Sequence, residues 1–387
     1  MFLYLASAAV HGQTLELTTD APERNLAKFP YIGDRNRTLL AGTVDALDES
    51  IGRVVKALYD RGMLSNSVIV FTSDNGGSPW GIFSNTGSNW PLRGSKGTLW
   101  EGGIRVPALI WSSLLPQNGD VVVSKIAHVA DWLPTLYSAA GETKSLGRQL
   151  TPPPRRPYAT RSPGASQDLG NIDGLDLWPA LSAPKSTSGA PWPRREFLVN
   201  ADSLTGLSAY RDGVYKLVSI TGPSVNGSRY PFDGRDLQVH IPTPGGMMPS
   251  AGANASVNSL NSLMTSSLTW EVLEELNCGK LAVPTGWRKR AAVKCKSGNS
   301  SVPGLAKLRE GHYLFDLSSD PCELNNLAEE QPSVVTEMAK TLEHYLAVAE
   351  PAKRHTLDTR GFPEYNDCLW ARWEDIAGTT NRTCPCP

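Results

Sequence analysis

The spacing of apolar residues changes abruptly around Gly62, and that change constrains the fold more than any other feature of the chain. From Thr38 to Arg61, the residues Leu40, Val44, Leu47, Ile51, Val54, Val55 and Leu58 recur every three or four positions, which predicts an amphipathic helix with one core-facing stripe. Glu49 and Arg53 are spaced to pair on its wet side, and Gly62 offers the left-handed residue that helix exits often need. Ser67 to Thr72 (SVIVFT) then runs apolar and β-branched without alternation, the pattern of a strand covered on both faces. A helix leading straight into such a strand predicts an α/β architecture with a parallel sheet. A second run, Val106 to Trp111, and a helix from Asp131 to Gly141 continue the alternation; Pro134 falls in that helix's first turn, where a missing N–H costs little.

The pattern changes again in the second half. Thr151–Gly164 and Ala183–Pro193 are rich in Pro, Ser and Gly and read as surface linkers around a domain boundary. The expected division is 1–182, an α/β domain, and 183–387, a smaller α+β domain. Short alternating segments at Glu196–Asn200, Leu207–Arg211, Val214–Ser219 and Tyr313–Leu317 predict a small antiparallel sheet in the latter. A stretch at about 242–268 is poor in large apolar residues and is expected to be a flexible insertion. A last helix, Pro332 to Val348, places Val335, Met338, Leu342 and Tyr345 on one side, fit to pack on that sheet. At the other end, Met1–Ala9 lacks the basic residue and the length of a signal peptide, and Phe2–Leu5 is expected to be a buried strand entering a loop at His11. No apolar stretch approaches the roughly 20 residues that span a bilayer.

Charge narrows the function classes. The 387 residues carry a net charge of -1 and no basic run longer than Arg288-Lys289-Arg290, which argues against a nucleic-acid partner. The six cysteines, at 278, 295, 322, 368, 384 and 386, show no Cys-x-x-C metal spacing and read as disulfide formers of open connectivity. Sequons at Asn36, Asn226, Asn254, Asn299 and Asn381 point the same way, to a glycoprotein of the secretory route, lysosomal or secreted.

Chemistry concentrates just after the Ser67–Thr72 strand, in Ser73-Asp74-Asn75-Gly76-Gly77, because ligands of open α/β sheets gather at strand carboxyl ends. Asp74 offers a carboxylate and Asn75 a carbonyl oxygen, the hard donors that Ca²⁺ or Mg²⁺ takes, although Asp-Asn-Gly is also ordinary turn chemistry. The next segment is Asn89-Trp-Pro-Leu-Arg-Gly-Ser-Lys-Gly-Thr-Leu-Trp-Glu-Gly-Gly-Ile-Arg105, without helical or strand periodicity. From Val68 to Gly103 the chain resembles the sulfatase family, most closely its arylsulfatase B type: an apolar strand, Asp-Asn-Gly-Gly, Trp-Pro-Leu-Arg-Gly-x-Lys and Leu-Trp-Glu-Gly-Gly. Asp131-Trp-Leu-Pro-Thr-Leu136, Asp173-Gly-Leu-Asp-Leu-Trp178 and Leu314-Phe-Asp-Leu-Ser-Ser-Asp-Pro-Cys-Glu323 extend the resemblance over most of the chain.

The resemblance implies an alkaline-phosphatase-like α/β fold, with 1–182 as the C-terminal part of the catalytic domain, and a Ca²⁺ ion held by Asp74 and Asn75. It implies that Lys96 holds the substrate sulfate and that His11 hydrogen-bonds the leaving oxygen and donates a proton. A cation and an ammonium aimed at a sulfate ester's oxygens stabilise the charge that develops as the S–O bond breaks. Gly12-Gln13 departs from the family's proline-containing run after the histidine. Arg93 ranks below Lys96, as a brace for the loop, and His128 reads as structural.

Two family motifs are missing. Sulfatases carry Cys-x-Pro-x-Arg, whose first residue becomes formylglycine under the formylglycine-generating enzyme, and an Asp-Asp pair that supplies further metal oxygens; these 387 residues hold neither. The expectation is an N-terminally truncated chain, inactive alone, from a hydrolase acting on aryl sulfates or on sulfated N-acetylgalactosamine of glycosaminoglycans. The alternative is a non-catalytic protein that binds sulfated glycans. A phosphoesterase of the same fold is disfavoured by Trp-Pro-Leu-Arg-Gly-x-Lys.

Overall fold

The structure is a computed structural model that describes residues 1–12, 20–79, 84–116, 122–141, 172–183, 191–203, 206–221, 257–283, 291–295 and 310–349. The first of the linkers expected from composition, 151–164, lies outside these residues, as do Asn226, Asn254, Asn299, Asn381 and three of the six cysteines.

Helix α1 (Glu23–Leu26) packs on the long α2 (Arg35–Asp60), whose N-cap Asp34 accepts the Arg37 N–H. The helix leaves through Gly62, at φ 64°, as its sequence position predicts. The expected Glu49–Arg53 pair does not form: Arg24 reaches Glu49 at 2.9 Å and Arg53 turns to Ser50 instead, a tertiary partner displacing a local one. The apolar stripe is covered unevenly, because Val55 is buried while Val44 is exposed.

Strands β1 (Val68–Thr72) and β2 (Ala108–Ser112) pair antiparallel, with Val70 opposite Ile110. This corrects the expected parallel sheet. An apolar run specifies burial and not strand direction, and the described residues between the two strands hold one helix of four residues, Glu101–Ile104, too short for a parallel crossover. Both strands are half-buried rather than covered on both faces. A second correction concerns Phe2–Leu5, which pairs with no strand among the described residues and is 60 to 81% exposed. Backbone of this kind becomes a strand only when a neighbour completes its ladder.

The short α3 (Glu101–Ile104) precedes β2, and α4 (Trp132–Ala139) follows it, closing at Gly141 (φ 87°). Helix α5 (Trp178–Ser182) leads on to the second sheet. That sheet is a four-stranded antiparallel meander: β3 (Glu196–Asp202), β4 (Leu207–Asp212), β5 (Tyr215–Ile220) and β6 (Gly311–Asp316), in sequential order. All four strands fall where alternation predicts them. The stretch expected to be flexible instead contains α6 (Val257–Thr265) and, from its last residue, α7 (Leu268–Leu276). Val272 of α7, beyond that stretch, is fully buried against Val55 and Leu64; residues 242–256 lie outside the described ones.

The period-two alternation of the meander separates two cores. One face carries Tyr210, Leu217 and Leu314 and is covered by α8 (Pro332–Val348) through Met338 and Leu342. The other carries Ala209, Val218, Ile220, Tyr313 and Phe315, and its cover is Trp100, which comes from the loop ahead of α3. The sheet therefore lies between the last helix and the glycine-rich loop of the first half. Among the described cysteines, Cys295 and Cys322 form a disulfide across a separation of 27 residues, and Cys278 is exposed and unpaired.

Candidate functional site

Where β1 ends, the chain turns through Ser73-Asp74-Asn75-Gly76-Gly77 and presses directly onto the backbone of α3. The Gly76 N–H donates to the Gly103 carbonyl at 2.9 Å, and a Cβ on Gly76 would lie 1.8 Å from the Gly102 carbonyl oxygen. Only glycine fits that approach. Two steps on, Asn89 grips Gly77 from both sides: its Oδ1 accepts the Gly77 N–H at 2.7 Å and its Nδ2 donates to the Gly77 carbonyl at 2.9 Å. The same carbonyl accepts the Lys96 backbone N–H at 3.1 Å. The strand tip and the Lys96 loop are thus one hydrogen-bonded unit.

A second asparagine brings in the N-terminal segment. Asn85, itself buried, donates from Nδ2 to the Val10 carbonyl at 2.9 Å while its Oδ1 accepts the Gly87 and Ser78 N–H groups. This fixes the residue next to His11. The imidazole Nδ1 faces the Gly12 carbonyl at 2.6 Å, which makes Nδ1 the protonated nitrogen. Its Nε2 is then the acceptor, and the Lys96 Nζ lies 3.0 Å away to donate to it. Two residues that are 85 positions apart meet by their functional atoms.

Asp74 and Asn75 directly precede the Gly76 and Gly77 that join this unit, with Asp74 exposed and Asn75 half-buried. The Asp74 Oδ1 accepts the Asn75 N–H at 2.9 Å, and the Asn75 Nδ2 donates to Gly76. The donor chemistry, a carboxylate and an amide oxygen, is right for a hard cation, and the number is not: Ca²⁺ takes about six to eight oxygens. Among the described residues no group of three or more His, Cys, Asp or Glu is arranged to hold a metal. By count, Asp74 and Asn75 could fill at most part of such a shell.

Arg93 does not join His11 and Lys96. It is buried, stacks its guanidinium 4.1 Å over the Trp100 ring and donates from Nη1 to the Glu323 carbonyl at 3.1 Å. Burial lowers it to about 10, against the opposing pull of Glu323 and Asp320, so it stays a cation at neutral pH. His128 is likewise apart. It caps the turn before α4, with its ring against Phe197, and burial followed by the charge of Arg194 holds it below its ordinary range. Asp131, next to it, is gripped by Arg194 through two hydrogen bonds. Asn36 is exposed in the first turn of α2.

Three residues that matter to this geometry are not legible in the sequence. Asn85 and Asn89 read as turn residues of a polar loop, and nothing local distinguishes them from Asn36. Glu323 sits beyond a Pro-Cys pair, and its partners on the loop, Arg93 and Glu101, are more than two hundred positions away.

A family model described as Sulfatase matches residues 1–142. Mouse arylsulfatase J is 27% identical over 378 residues, covering 96% of this chain and 50% of the relative. Human N-acetylgalactosamine-6-sulfatase is 31% identical over 184 residues, covering 46% of this chain and 28% of the relative. Among solved structures, that of Ps i-CgsB aligns with a TM-score of 0.43 at 19% identity, over 84% of this chain and 47% of that one. The chain spans half, or less, of the length of these relatives.

Proposed function

We propose, from the match of residues 1–142 to the Sulfatase family model, that this chain is a sulfatase and supplies the anion-holding half of a sulfate-ester hydrolase site. The observation that carries the reading is the 3.0 Å approach of the Lys96 ammonium to the His11 Nε2. An ammonium resting on a neutral imidazole is a cation whose partner is easily exchanged. A sulfate oxygen is the stronger acceptor, because it carries negative charge and adds the attraction of opposite charges to the hydrogen bond. With sulfate between them, Lys96 turns its N–H groups to the anion, and His11, once its freed Nε2 has taken a proton from water to give the imidazolium, hands that proton to the departing oxygen and returns to the neutral Nδ1–H form. The Nδ1 contact to the Gly12 carbonyl keeps Nε2 pointed inward throughout.

Ca²⁺ belongs to the proposal through Asp74 and Asn75, which offer hard oxygens beside the same loop and need further donors to complete a shell. The chemistry such an ion supplies is withdrawal of charge from the sulfate oxygens. The proposed division of labour gives 1–182 the reacting groups and 183–387 the task of bracing them. The proposed substrates are aryl sulfates or sulfated N-acetylgalactosamine in glycosaminoglycans, in keeping with the names of the two relatives above. The proposed setting is the secretory route, lysosomal or secreted, with Asn36 as an exposed glycosylation acceptor and the formylglycine-generating enzyme as a partner of a nucleophile-bearing form. No described helix is long and apolar enough to cross a membrane.

The test is a titration of the chain with inorganic sulfate, followed by the NMR shift of the His11 ring. A saturable shift in the wild type that disappears in Lys96→Ala supports the reading, and a His11 signal indifferent to sulfate sinks it. The chain alone is expected not to turn over nitrophenyl sulfate, since Cys-x-Pro-x-Arg does not occur in it; measurable turnover would overthrow the nucleophile assignment. Equal shifts with sulfate and glycan but no turnover in any nucleophile-bearing form would favour the binding-protein alternative.

A further inference from the structure

The loop that carries Lys96 has a second side, and it is dry. Trp100 is 2% exposed and lies edge-on against Phe315 at 5.6 Å, inside the core of the four-stranded sheet. Beside it the Lys216 ammonium, fully buried on β5, lies 2.7 Å from one Glu323 oxygen and 3.1 Å from one Glu101 oxygen. The other Glu323 oxygen, Oε2, accepts the Glu101 backbone N–H at 2.7 Å. Arg211 and Arg105 each stand 4.0 Å from the remaining Glu101 oxygen. Glu323 also receives Arg93 through its own carbonyl at 3.1 Å.

Glu323 therefore touches the loop on either side of Lys96, at the Arg93 side chain before it and at the Glu101 backbone after it. Apolar packing by Trp100 alone would hold the loop against the sheet without fixing its register, because that attraction has no direction. Hydrogen bonds to buried charged groups do fix register, and losing one partner leaves an uncompensated charge. The backbone at Glu323 is itself unusual, with φ at 56°, a conformation that costs a residue with a Cβ and persists only where its surroundings hold it. Two features hold it here: the neighbouring Cys295–Cys322 disulfide, and Asp320, whose Oδ2 accepts the Leu324 and Asn325 N–H groups at 2.8 Å.

We infer that Glu323 and Lys216 are positioning residues, which reach from the sheet and clamp residues 93–101 from behind so that Lys96 is presented to its anion. This rests on the proposed role of Lys96, and the experiment separates the two. Amide hydrogen exchange and inorganic sulfate binding are measured on the whole chain for wild type, Glu323→Ala and Glu323→Gln. In Glu323→Ala the amides of 94–104 are expected to exchange about tenfold faster while those of β4 and β5 keep their protection, the loss of a hydrogen bond to a charged group being felt locally. Sulfate affinity falls with it. Glu323→Gln keeps an acceptor for the Glu101 N–H and restores most of both. Should Glu323→Ala not fold, Glu323→Asp, which withdraws the oxygens from that N–H, is read instead with the same selective rise expected. A uniform rise across the sheet, no rise at all, or a selective rise with unchanged sulfate affinity overturns the inference. A selective rise in a chain whose wild type ignores sulfate leaves the clamp standing and removes the reading of Lys96.

Discussion

Lys96 and Lys216 are the same side chain on opposite sides of one loop, and their surroundings give them opposite uses. Lys96 is half-exposed and rests on a neutral imidazole, a partner it can leave at small cost. Lys216 is fully buried between two carboxylates, and it cannot leave without stranding both. An ammonium can act on a ligand only where its resting contacts are weaker than the ligand's, so the dry side of the loop holds the structure and the wet side is free for chemistry. Arg93 makes the same point: it lies three residues from Lys96, points the other way, and is committed to Trp100 and Glu323.

The change with the largest expected effect on this contrast is Trp100→Ala, which empties the sheet face that the loop covers. It should cost about 3–5 kcal/mol in urea unfolding, in the range for a deleted core aromatic. A smaller loss would mean that the loop is not part of the sheet's core. Lys216→Met comes next, at roughly 3 kcal/mol at pH 7, because Glu101 and Glu323 are left buried without the ammonium they share.

That cost depends on pH. Burial, outweighing the attraction of Lys216 and added to by Glu101, pushes Glu323 up to about 7 from an ordinary 4.5. Its contribution to stability is therefore fully present below pH 4.5 and is lost as pH rises through about 7. The charged groups facing it are Lys216 and Glu101, with Arg211, Arg105 and Arg93 around them. The melting temperature of the wild type should fall between these limits, and Glu323→Gln should flatten the profile. A wild-type profile that rises over the same window would contradict the burial argument.

Gly76→Ala is expected to cost about 1–3 kcal/mol by driving the strand tip off the Gly102 carbonyl. Sulfate binding should weaken with it, since Gly77 carries the Lys96 N–H. Smallest in stability and largest in function is Lys96→Ala, which should move the unfolding free energy by less than about 0.5 kcal/mol and abolish the response to sulfate. If Lys96→Ala destabilised the chain as much as Lys216→Met, the distinction between the two sides of the loop would fail.

Much of this was legible in the residues. Periodicity found α2, the meander and the last helix, because each buries one face and so must repeat its apolar positions at its own pitch. It did not find the direction of β1 against β2, the exposure of Phe2–Leu5, or α6 within the polar stretch at about 242–268. Each of those depends on what a segment packs against, which no local pattern records. At the site, the resemblance pointed to His11 and Lys96, and the fold brings their nitrogens together.

By itself the sequence determined the elements and the residue types on offer: a strand tip with oxygens, a glycine-rich loop with two cations, a histidine far upstream. Only the tertiary structure decided which cation faces water and which is spent on holding the loop. The reason is that a lysine or arginine has no intrinsic role; its use is set by how firmly its neighbours, here an imidazole 85 residues from Lys96 and a backbone carbonyl 230 residues from Arg93, compete for it.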